Sequence, residues 1–134
     1  MTMYFDAHGN ISFMINNSCV INRPNTPFNE EGIDILFDGI LGQVKKKKLS
    51  KWVLIELLGK GAFPTPGALT VLVQKYKMSS SLGCVKVDSV CSTYLQKQFL
   101  NQVAELAHIE LSFYETEEEA FLANEKYLEN DQIE

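Results

Sequence analysis

The sequence predicts one α/β domain over residues 1–134, with a mixed, mostly parallel sheet, an N-terminal β-hairpin and about four helices in the order ββαβαβαβα. Strand-like apolar runs alternate with helix-like periodic segments, which is typical of βαβ units. The chain has 134 residues, enough for one domain and short for two. Its residues are 46% apolar and 22% charged, a composition that excludes a disordered or fibrous chain.

Residues 11–22 are predicted to form the β-hairpin. Apolar and polar residues alternate over 11–15, and a second apolar run covers 19–22 before Arg23-Pro24 stops it. The segment Asn16-Asn17-Ser18 between the two runs offers turn chemistry. Because the following helix leads to a parallel strand, we expect the first hairpin strand to be the antiparallel member, at an edge of the sheet.

The middle of the chain predicts a helix followed by a buried strand. Asn29 is a good N-cap. The apolar residues after it have helical spacing: Ile33, Leu36, Phe37, Ile40, Leu41 and Val44. The run from Lys51 to Leu58 is nearly all apolar, which favours a strand buried on both faces of a parallel sheet. Residues 59–64 then form a loop, and Thr65 is expected to cap the next helix, with Pro66 at its first position.

The second half of the chain predicts further strand and helix pairs. The second helix is expected to end near Lys77, with residues 79–83 as a connection. Two pairs of residues have the spacing of capping boxes at helix starts: Thr93 with Gln96, and Thr116 with Glu119. The remaining predicted elements are a strand over 84–90, a helix over about 93–107, a strand over 111–114 and a final helix carrying residues up to Leu128.

The net charge of −5 is concentrated at the C-terminus. Residues 115–134 carry eight acidic residues and one basic residue, whereas residues 1–114 carry eleven basic and nine acidic ones. The chain therefore lacks the basic footprint of a nucleic-acid-binding protein. We interpret the acidic end as a solvated helix followed by a tail over 129–134, outside a domain core of about 10–128. An acidic docking face for a basic partner is the alternative.

The three cysteines, Cys19, Cys84 and Cys91, are an odd number and lack CxxC spacing. With no secretory signal in the first ten residues, they favour a reducing, cytoplasmic compartment. We expect buried, inert thiols, no metal site and no cofactor. No apolar run reaches the roughly 18 residues of a membrane span, so we expect no membrane partner.

Four short segments, in this order of elements, resemble the STAS-like (SpoIIAA-like) family, the fold of anti-sigma-factor antagonists and of sulfate-transporter tails. The segments are Pro27-Phe28-Asn29, Trp52 to Ile55, Pro64-Thr65-Pro66 and Phe113 to Ala120. The likeness spans about residues 10–128 and rests on order and spacing. It implies a non-catalytic regulatory module that binds a protein partner.

In that family a hydroxyl residue opens the helix after the central strand, and its phosphorylation breaks a partner contact. The matching position is Thr65, where a phosphate would add about −1.5 to −2 charges at a helix N-terminus. The resemblance therefore implies a phospho-switch at Thr65, although Phe63 and Pro64 depart from the family's Asp-Ser-Ser-Gly-Leu-Gly signature. We expect the partner to bind around residues 59–70, through Gly59, Lys60, Gly61, Phe63 and Thr65.

A small-molecule binding domain is the main alternative, with a pocket near Trp52 and Glu56 at the carboxyl ends of the strands. Glu56 could be a pocket carboxylate with a raised pKa, or it could face a gap between helices or pair with a lysine. Neither His8 nor His108 belongs to a recognised catalytic arrangement, so we do not expect an enzyme. The C-terminal helix or an exposed edge strand could also pair two copies of the chain.

Overall fold

The computed structural model describes residues 1–128; the predicted acidic tail over 129–134 lies outside these described residues. The described part contains six strands, four α-helices and one 3₁₀ turn. The strands are β1 (Thr2–Phe5), β2 (Ile11–Asn16), β3 (Cys19–Asn22), β4 (Trp52–Leu57), β5 (Cys84–Val90) and β6 (Leu111–Phe113). The helices are α1 (Glu30–Lys46), α2 (Ala68–Ser81), α3 (Tyr94–Ala107) and α4 (Glu117–Leu122), and the 3₁₀ turn is Glu125–Tyr127.

All six strands form one mixed sheet in the spatial order β1-β2-β3-β4-β5-β6. The pairs β1–β2 and β2–β3 are antiparallel, and the pairs from β3 to β6 are parallel. The α/β class with a mostly parallel sheet is therefore confirmed. Within residues 1–128, no helix combines the length and the apolar character that crossing a membrane requires.

The helices α1, α2 and α3 pack together against one face of the sheet, here called the helix face. Phe37 of α1, Tyr76 of α2 and Leu100 of α3 belong to a single apolar cluster with Leu54 and Val87 of the central strands. These helices cover one face of β4 and α4 covers the other, so β4 is buried at every position, as the apolar run over 51–58 predicts.

The opposite face of the sheet, here called the second face, has a smaller cover. Ala120 of α4 packs there against Ile21, Val53 and Ile55, and the 3₁₀ turn completes this second cluster. The cover lies over the middle of the sheet, and large apolar side chains stay exposed on the β1–β2 hairpin, among them Met3 and Phe5. The two faces thus differ in how completely they are buried.

The sequence does not predict β1, and the edge position expected for the first hairpin strand is wrong. β1 pairs along β2, with Met3 opposite Met14, and takes the edge itself. The observed order is therefore βββαβαβαβα. β1 has only four residues, and its place depends on a partner strand rather than on its own pattern.

The predicted ends of two helices are also wrong. α2 continues to Ser81 instead of ending near Lys77, because the hydroxyls of Ser79 and Ser81 donate to carbonyls one turn back and leave the helix intact. The C-terminal helix stops at Leu122 rather than reaching Leu128. Its path turns at Asn124, whose side-chain amide donates to the Ala120 carbonyl at 2.8 Å and so closes the helix.

The other predicted elements are confirmed with small shifts of their ends. Asn29 caps α1 by accepting from the Gly32 backbone N–H at 2.8 Å. The capping boxes at Thr93 and Thr116 are both present. Gly83 has a φ of +102°, as expected for the residue between α2 and β5.

Candidate functional site

The loop after β4 is held in one conformation by contacts to two other segments. Gly59 donates its backbone N–H to the Pro24 carbonyl at 2.9 Å. The side-chain amide of Gln96, in the first turn of α3, donates to the carbonyls of Gly59 and Ala62 at 2.8 and 2.7 Å. Ser92 adds a hydrogen bond from its hydroxyl to the Leu58 carbonyl at 2.7 Å. The backbone of this loop is therefore fixed by hydrogen bonds to the rest of the domain.

The two glycines of this loop are needed for close packing against Asn25. A Cβ on Gly59 would collide with the Asn25 side chain, and a Cβ on Gly61 would collide with the Asn25 backbone carbonyl. Gly61 also donates its N–H to the Asn25 side-chain oxygen at 3.1 Å. Gly59 and Gly61 thus allow the loop to pack closely against Asn25, and both remain partly exposed.

The remaining predicted site residues face different surroundings. The side chain of Lys60 is exposed, and that of Phe63 is 52% exposed. Thr65 is half-buried, and its hydroxyl donates to the Phe28 carbonyl at 3.4 Å. Of the five predicted contact residues, only Lys60 and Phe63 point their side chains to the outside.

The expected N-cap role of Thr65 is wrong. α2 begins at Ala68 after Gly67, and no side chain caps it. Thr65 instead follows a short bridge between Pro64 and Phe28, and its N–H donates to the Phe28 carbonyl at 3.1 Å. A Cβ on Gly67 would collide with the Glu30 carboxylate, so a negative charge of the same molecule already lies at the start of α2. The positive end of the α2 dipole is therefore already close to a carboxylate of the same molecule.

Two further large side chains are exposed on α3, the helix that bonds the loop, although the helical spacing predicts Leu95 on its buried face. Tyr94 and Leu95 form the first turn of α3 and are 71% and 74% exposed. They precede Gln96, which bonds the loop backbone next to Phe63. We call Lys60, Phe63, Tyr94 and Leu95 the rim. An open groove of about 400 Å³ borders the loop at Gly59, between Arg23, Asn25, Ser92 and Glu117.

A second candidate site lies beneath the rim, inside the helix face. Asn22, Glu56 and Ser89 are register partners on β3, β4 and β5, so their polar side chains form a row across three parallel strands. We call these three residues the polar row. All three are buried, and Asn22 is only 2% exposed. They lie near the carboxyl ends of the strands, the edge at which sheets of this class bind ligands.

Glu56 is hydrogen-bonded, but no cation of the described residues 1–128 pairs with it. The Tyr76 hydroxyl donates to one carboxylate oxygen, and the Asn22 side-chain amide donates to the other at 3.3 Å. Burial raises the pKa of Glu56, and the hydrogen bonds from Tyr76 and Asn22 oppose that shift. Glu56 thus has a raised pKa and faces a gap lined by residues of α1, α2 and α3, and the expected lysine partner is wrong, because Lys75 pairs with Asp34 at 2.9 Å.

Two atoms of the polar row lack hydrogen-bond partners, the Asn22 Oδ1 and the Ser89 Oγ. An unsatisfied buried polar atom costs about 1–3 kcal/mol, so two in one row are unusual. Ser89 Oγ makes no hydrogen bond to the neighbouring Glu56, and the pair lacks the contact that activates a nucleophile.

A cavity of about 60 Å³ adjoins the polar row, with Asn22 and Glu56 in its wall. Its apolar wall is built by Phe28, Ile33, Leu36, Phe37, Leu58, Leu72 and Leu100. The predicted pocket is thus present near Glu56 but not near Trp52. The Trp52 indole N–H donates to the Leu82 carbonyl at 2.9 Å, at the opposite end of β4.

The cysteines are inert in this fold. Burial is the main cause of the raised pKa of each thiol, to about 12 for Cys19 and Cys84 and to about 11 for Cys91. The thiols are therefore protonated at neutral pH and poor nucleophiles. Within residues 1–128, no group of three or more His, Cys, Asp or Glu side chains is arranged to hold a metal ion.

The sequence shows a polar residue within each of the three apolar strands, but this pattern alone does not predict that the three side chains lie side by side. Asn22 ends an apolar strand, and Ser89 interrupts another. Their alignment with Glu56 depends on the register of the parallel strands β3, β4 and β5. These strands are far apart in the chain and are connected through helices, so no local sequence pattern encodes their register.

No protein-family model matches the chain, and no curated protein matches it either. The resemblance to the STAS-like family therefore stays a prediction. Function is inferred below from the rim, the polar row and the cavity.

Proposed function

We propose that this protein is a non-catalytic regulatory module of STAS-like fold that binds a protein partner through the rim. The observation that carries the proposal is that three large apolar side chains, Phe63, Tyr94 and Leu95, are exposed on two segments that the Gln96 hydrogen bonds join. Aromatic side chains at the centre of an interface supply much of its binding energy. Lys60 adds a charge at the edge, where it would steer a partner more than hold it.

The rigidity of the loop supports this proposal. Binding costs free energy when mobile segments become ordered, and a platform that is already ordered avoids most of that cost. The loop backbone is bonded to Pro24, Asn25 and Gln96 before any partner arrives. The contacts of Gly59 and Gly61 thus contribute to binding indirectly, by holding Phe63 in place.

Thr65 is the position at which we propose that modification would regulate the contact. A phosphate there would replace the hydrogen bond to the Phe28 carbonyl and bring about −1.5 to −2 charges close to the Glu30 carboxylate at the start of α2. Like charges at this place would detach the loop from the segment before α1. We expect Thr65→Glu to weaken partner binding and Thr65→Gln, of similar size without the charge, to leave it nearly unchanged.

Affinity capture with matched variants tests the rim. The 134-residue chain is immobilised, proteins from an extract of the source organism are identified by mass spectrometry, and the partner is purified for a binding titration. Phe63→Asp and Tyr94→Asp should each weaken the affinity by at least about tenfold. The control is Ile35→Asp on α1, because Ile35 is 65% exposed and lies outside the rim.

Two results would contradict the proposal. If Phe63→Asp and Tyr94→Asp keep the partner at unchanged affinity, the rim is not the contact surface. If Ile35→Asp weakens binding as much as the rim variants do, the effect belongs to any exposed apolar residue and not to this surface. Circular dichroism of each variant shows that the fold is kept.

A small-molecule binding domain stays the second candidate, and one observation favours it. The polar row places two unsatisfied buried atoms, Asn22 Oδ1 and Ser89 Oγ, beside the Glu56 carboxylate, and Asn22 and Glu56 line a cavity. A protein-contact function at the rim has no use for this arrangement. The two candidates use different parts of the molecule, so both can hold.

A further inference from the structure

We infer that this protein forms a weak homodimer, in which β1 pairs antiparallel with β1 of a second copy and joins the two sheets edge to edge. The inference rests on three observations: the outer side of β1, along which no other strand of residues 1–128 lies, the exposed apolar side chains beside it, and the lack of charge within it. It is independent of the rim, which lies at the carboxyl ends of the central strands.

The outer side of β1 presents backbone groups that another strand can bind. The Asp6 backbone N–H donates at 2.8 Å to the carbonyl of Asn10, which leads into β2. Successive residues of an antiparallel strand direct their backbone groups alternately to the two sides, so Tyr4 bonds β2 as Asp6 does. The irregularity in this pair adds a residue to β2 and leaves β1 regular. The N–H and C=O groups of Met3 and Phe5 therefore point outward, where a further strand would bond them.

The apolar side chains beside this edge lie on the second face. Met3 is opposite Met14, which packs against the second cluster, and Phe5 is opposite Ile11. Met3 and Phe5 are two residues apart in one strand and so share a face. The side chains of Met3, Phe5 and Ile11 are 49%, 60% and 52% exposed. Edge-to-edge pairing of two copies would bring both sets together and remove apolar surface from water.

The charges at the two edges of the sheet favour β1 as the contact. Edge strands that stay unpaired are typically protected by charged side chains or proline. β1 reads Thr-Met-Tyr-Phe and contains neither. The opposite edge strand, β6, has only three residues, and the exposed Glu110 and Glu115 lie close to its two ends. Two copies of β6 would bring these like charges together, whereas two copies of β1 would not.

One register of the two β1 strands uses all of their outward backbone groups. A two-fold axis at Tyr4 places Met3 of each copy opposite Phe5 of the other, so these residues exchange four backbone hydrogen bonds. Methionine sulfur beside an aromatic ring is a favourable contact. The two Tyr4 rings become neighbours on the helix face, where each already stacks on Phe13 with 4.6 Å between ring centroids. The two Asp6 residues stay roughly 14 Å apart along the strands, beyond the screening length of about 8 Å at physiological salt.

The size of this contact predicts a weak dimer. Four backbone hydrogen bonds and a small apolar patch bury less than the roughly 1,200 Å² in total that standard interfaces bury. We therefore expect a dissociation constant of about 100 µM. Sedimentation equilibrium of the purified 134-residue chain, at total concentrations from about 10 µM to 1 mM, should show the dimer fraction rising across this range.

Three variants test which surface forms the dimer. Met3→Lys places a charge in the apolar patch, and Met3→Pro removes an outward N–H while the bonds from β1 to β2 remain. Each should raise the dissociation constant by at least about tenfold. Leu122→Lys is the matched control, because Leu122 is 68% exposed on α4, the other segment that the sequence offers for pairing two copies. This control should leave the dissociation constant unchanged.

Cysteine cross-linking tests the register. Opposed residues that do not bond each other have Cα atoms about 4.5 Å apart, a distance that a disulfide spans. Tyr4→Cys should therefore give a disulfide-linked dimer on mild oxidation. Thr2→Cys should not, because two copies of residue 2 lie roughly 14 Å apart in this register. The wild type, with Cys19 and Cys84 buried and Cys91 half-buried, shows the background.

Four outcomes would overturn the inference. They are a monomer at every concentration up to about 1 mM, an unchanged dissociation constant in both Met3 variants, equal weakening by Leu122→Lys, and cross-linking of Thr2→Cys as fast as that of Tyr4→Cys. Equal weakening by Leu122→Lys would assign the contact to the C-terminal helix instead. Should Tyr4→Cys disturb the fold, the two Met3 variants still decide whether the edge forms the dimer. Failure here would leave the rim proposal untouched, because no rim variant enters this test.

Discussion

The sheet buries one carboxylate on each face, and the two have different surroundings. Asp88 on the second face is fully buried, accepts from the Asn124 amide at 2.6 Å and pairs with the Lys86 ammonium at 3.1 Å. Glu56 on the helix face has only neutral donors. Asp88 also keeps one oxygen without a partner, but its charge is balanced within the molecule.

The difference separates a carboxylate whose charge is balanced by a neighbouring lysine from one that borders a cavity and has only neutral donors. Asn124 follows α4, so the Asp88 cluster attaches the C-terminal segment to the second face. Glu56 attaches no peripheral element and borders a cavity. If this distinction is right, removing Asp88 destabilises the fold, whereas neutralising Glu56 does not.

The largest expected effect is that of Asp88→Ala. The change leaves Lys86 and Asn124 without their partner, and breaking a buried ion pair from one side costs about 3 kcal/mol of the free energy of unfolding. Urea unfolding at pH 7 measures this loss. Asp38→Ala is the control, because Asp38 pairs with Lys75 at 3.5 Å but is mostly exposed. A loss no larger than that of the control would contradict the structural role of Asp88.

Asn124→Ala is expected to cost about 2 kcal/mol, since it removes the donor to Asp88 and to the Ala120 carbonyl. Hydrogen exchange should show faster opening of residues 117–127, because this bond attaches them to the sheet. Asn101→Ala on the exposed side of α3 is the matched control. Unchanged exchange in 117–127 would show that the apolar contacts of α4 suffice without Asn124.

Glu56→Gln should instead stabilise the protein by about 1 kcal/mol at pH 8. Burial raises the pKa of Glu56 above 4.5 in the folded state. The protonated carboxyl group therefore contributes its full share to the free energy of unfolding of the wild type below pH 4.5, and this contribution is lost as pH rises through the folded-state pKa. Glutamine does not ionise, and the Asn22 amide can turn its free oxygen to it. The advantage of the variant should therefore disappear as pH falls toward 4.5.

Urea unfolding of both proteins between pH 4.5 and 8 checks this prediction. Glu105→Gln, at an exposed site on α3, controls for the loss of one negative charge. Parallel stability curves for the wild type and Glu56→Gln would mean that burial does not perturb the carboxyl group.

The smallest expected effect is that of Arg23→Ala. Arg23 pairs with Glu117 at 2.6 Å, but both side chains are nearly half exposed, and such pairs contribute about 0–1 kcal/mol. We expect a loss below about 0.5 kcal/mol that becomes smaller in high salt. A loss comparable to that of Asp88→Ala would show that charge pairing, and not burial, decides what attaches α4.

The helix starts that were predicted correctly depend on residues close in sequence. Asn29, Thr93 and Thr116 bond to backbone groups three residues ahead, and this geometry is the same in any protein. The start of α2 was predicted wrongly because Thr65 bonds across the fold to Phe28 instead. A helix start is predicted reliably from its capping residue only where no distant group binds that residue's side chain.

The sequence by itself determined the alternation of strands and helices, the buried central strand and the caps, because all of these follow from side-chain period and from contacts within four residues. Only the tertiary structure decided that β1 forms the edge, that Phe63 lies beside α3, and that Asn22, Glu56 and Ser89 align. These facts depend on the register and packing of segments far apart in the chain, and no local pattern carries that information.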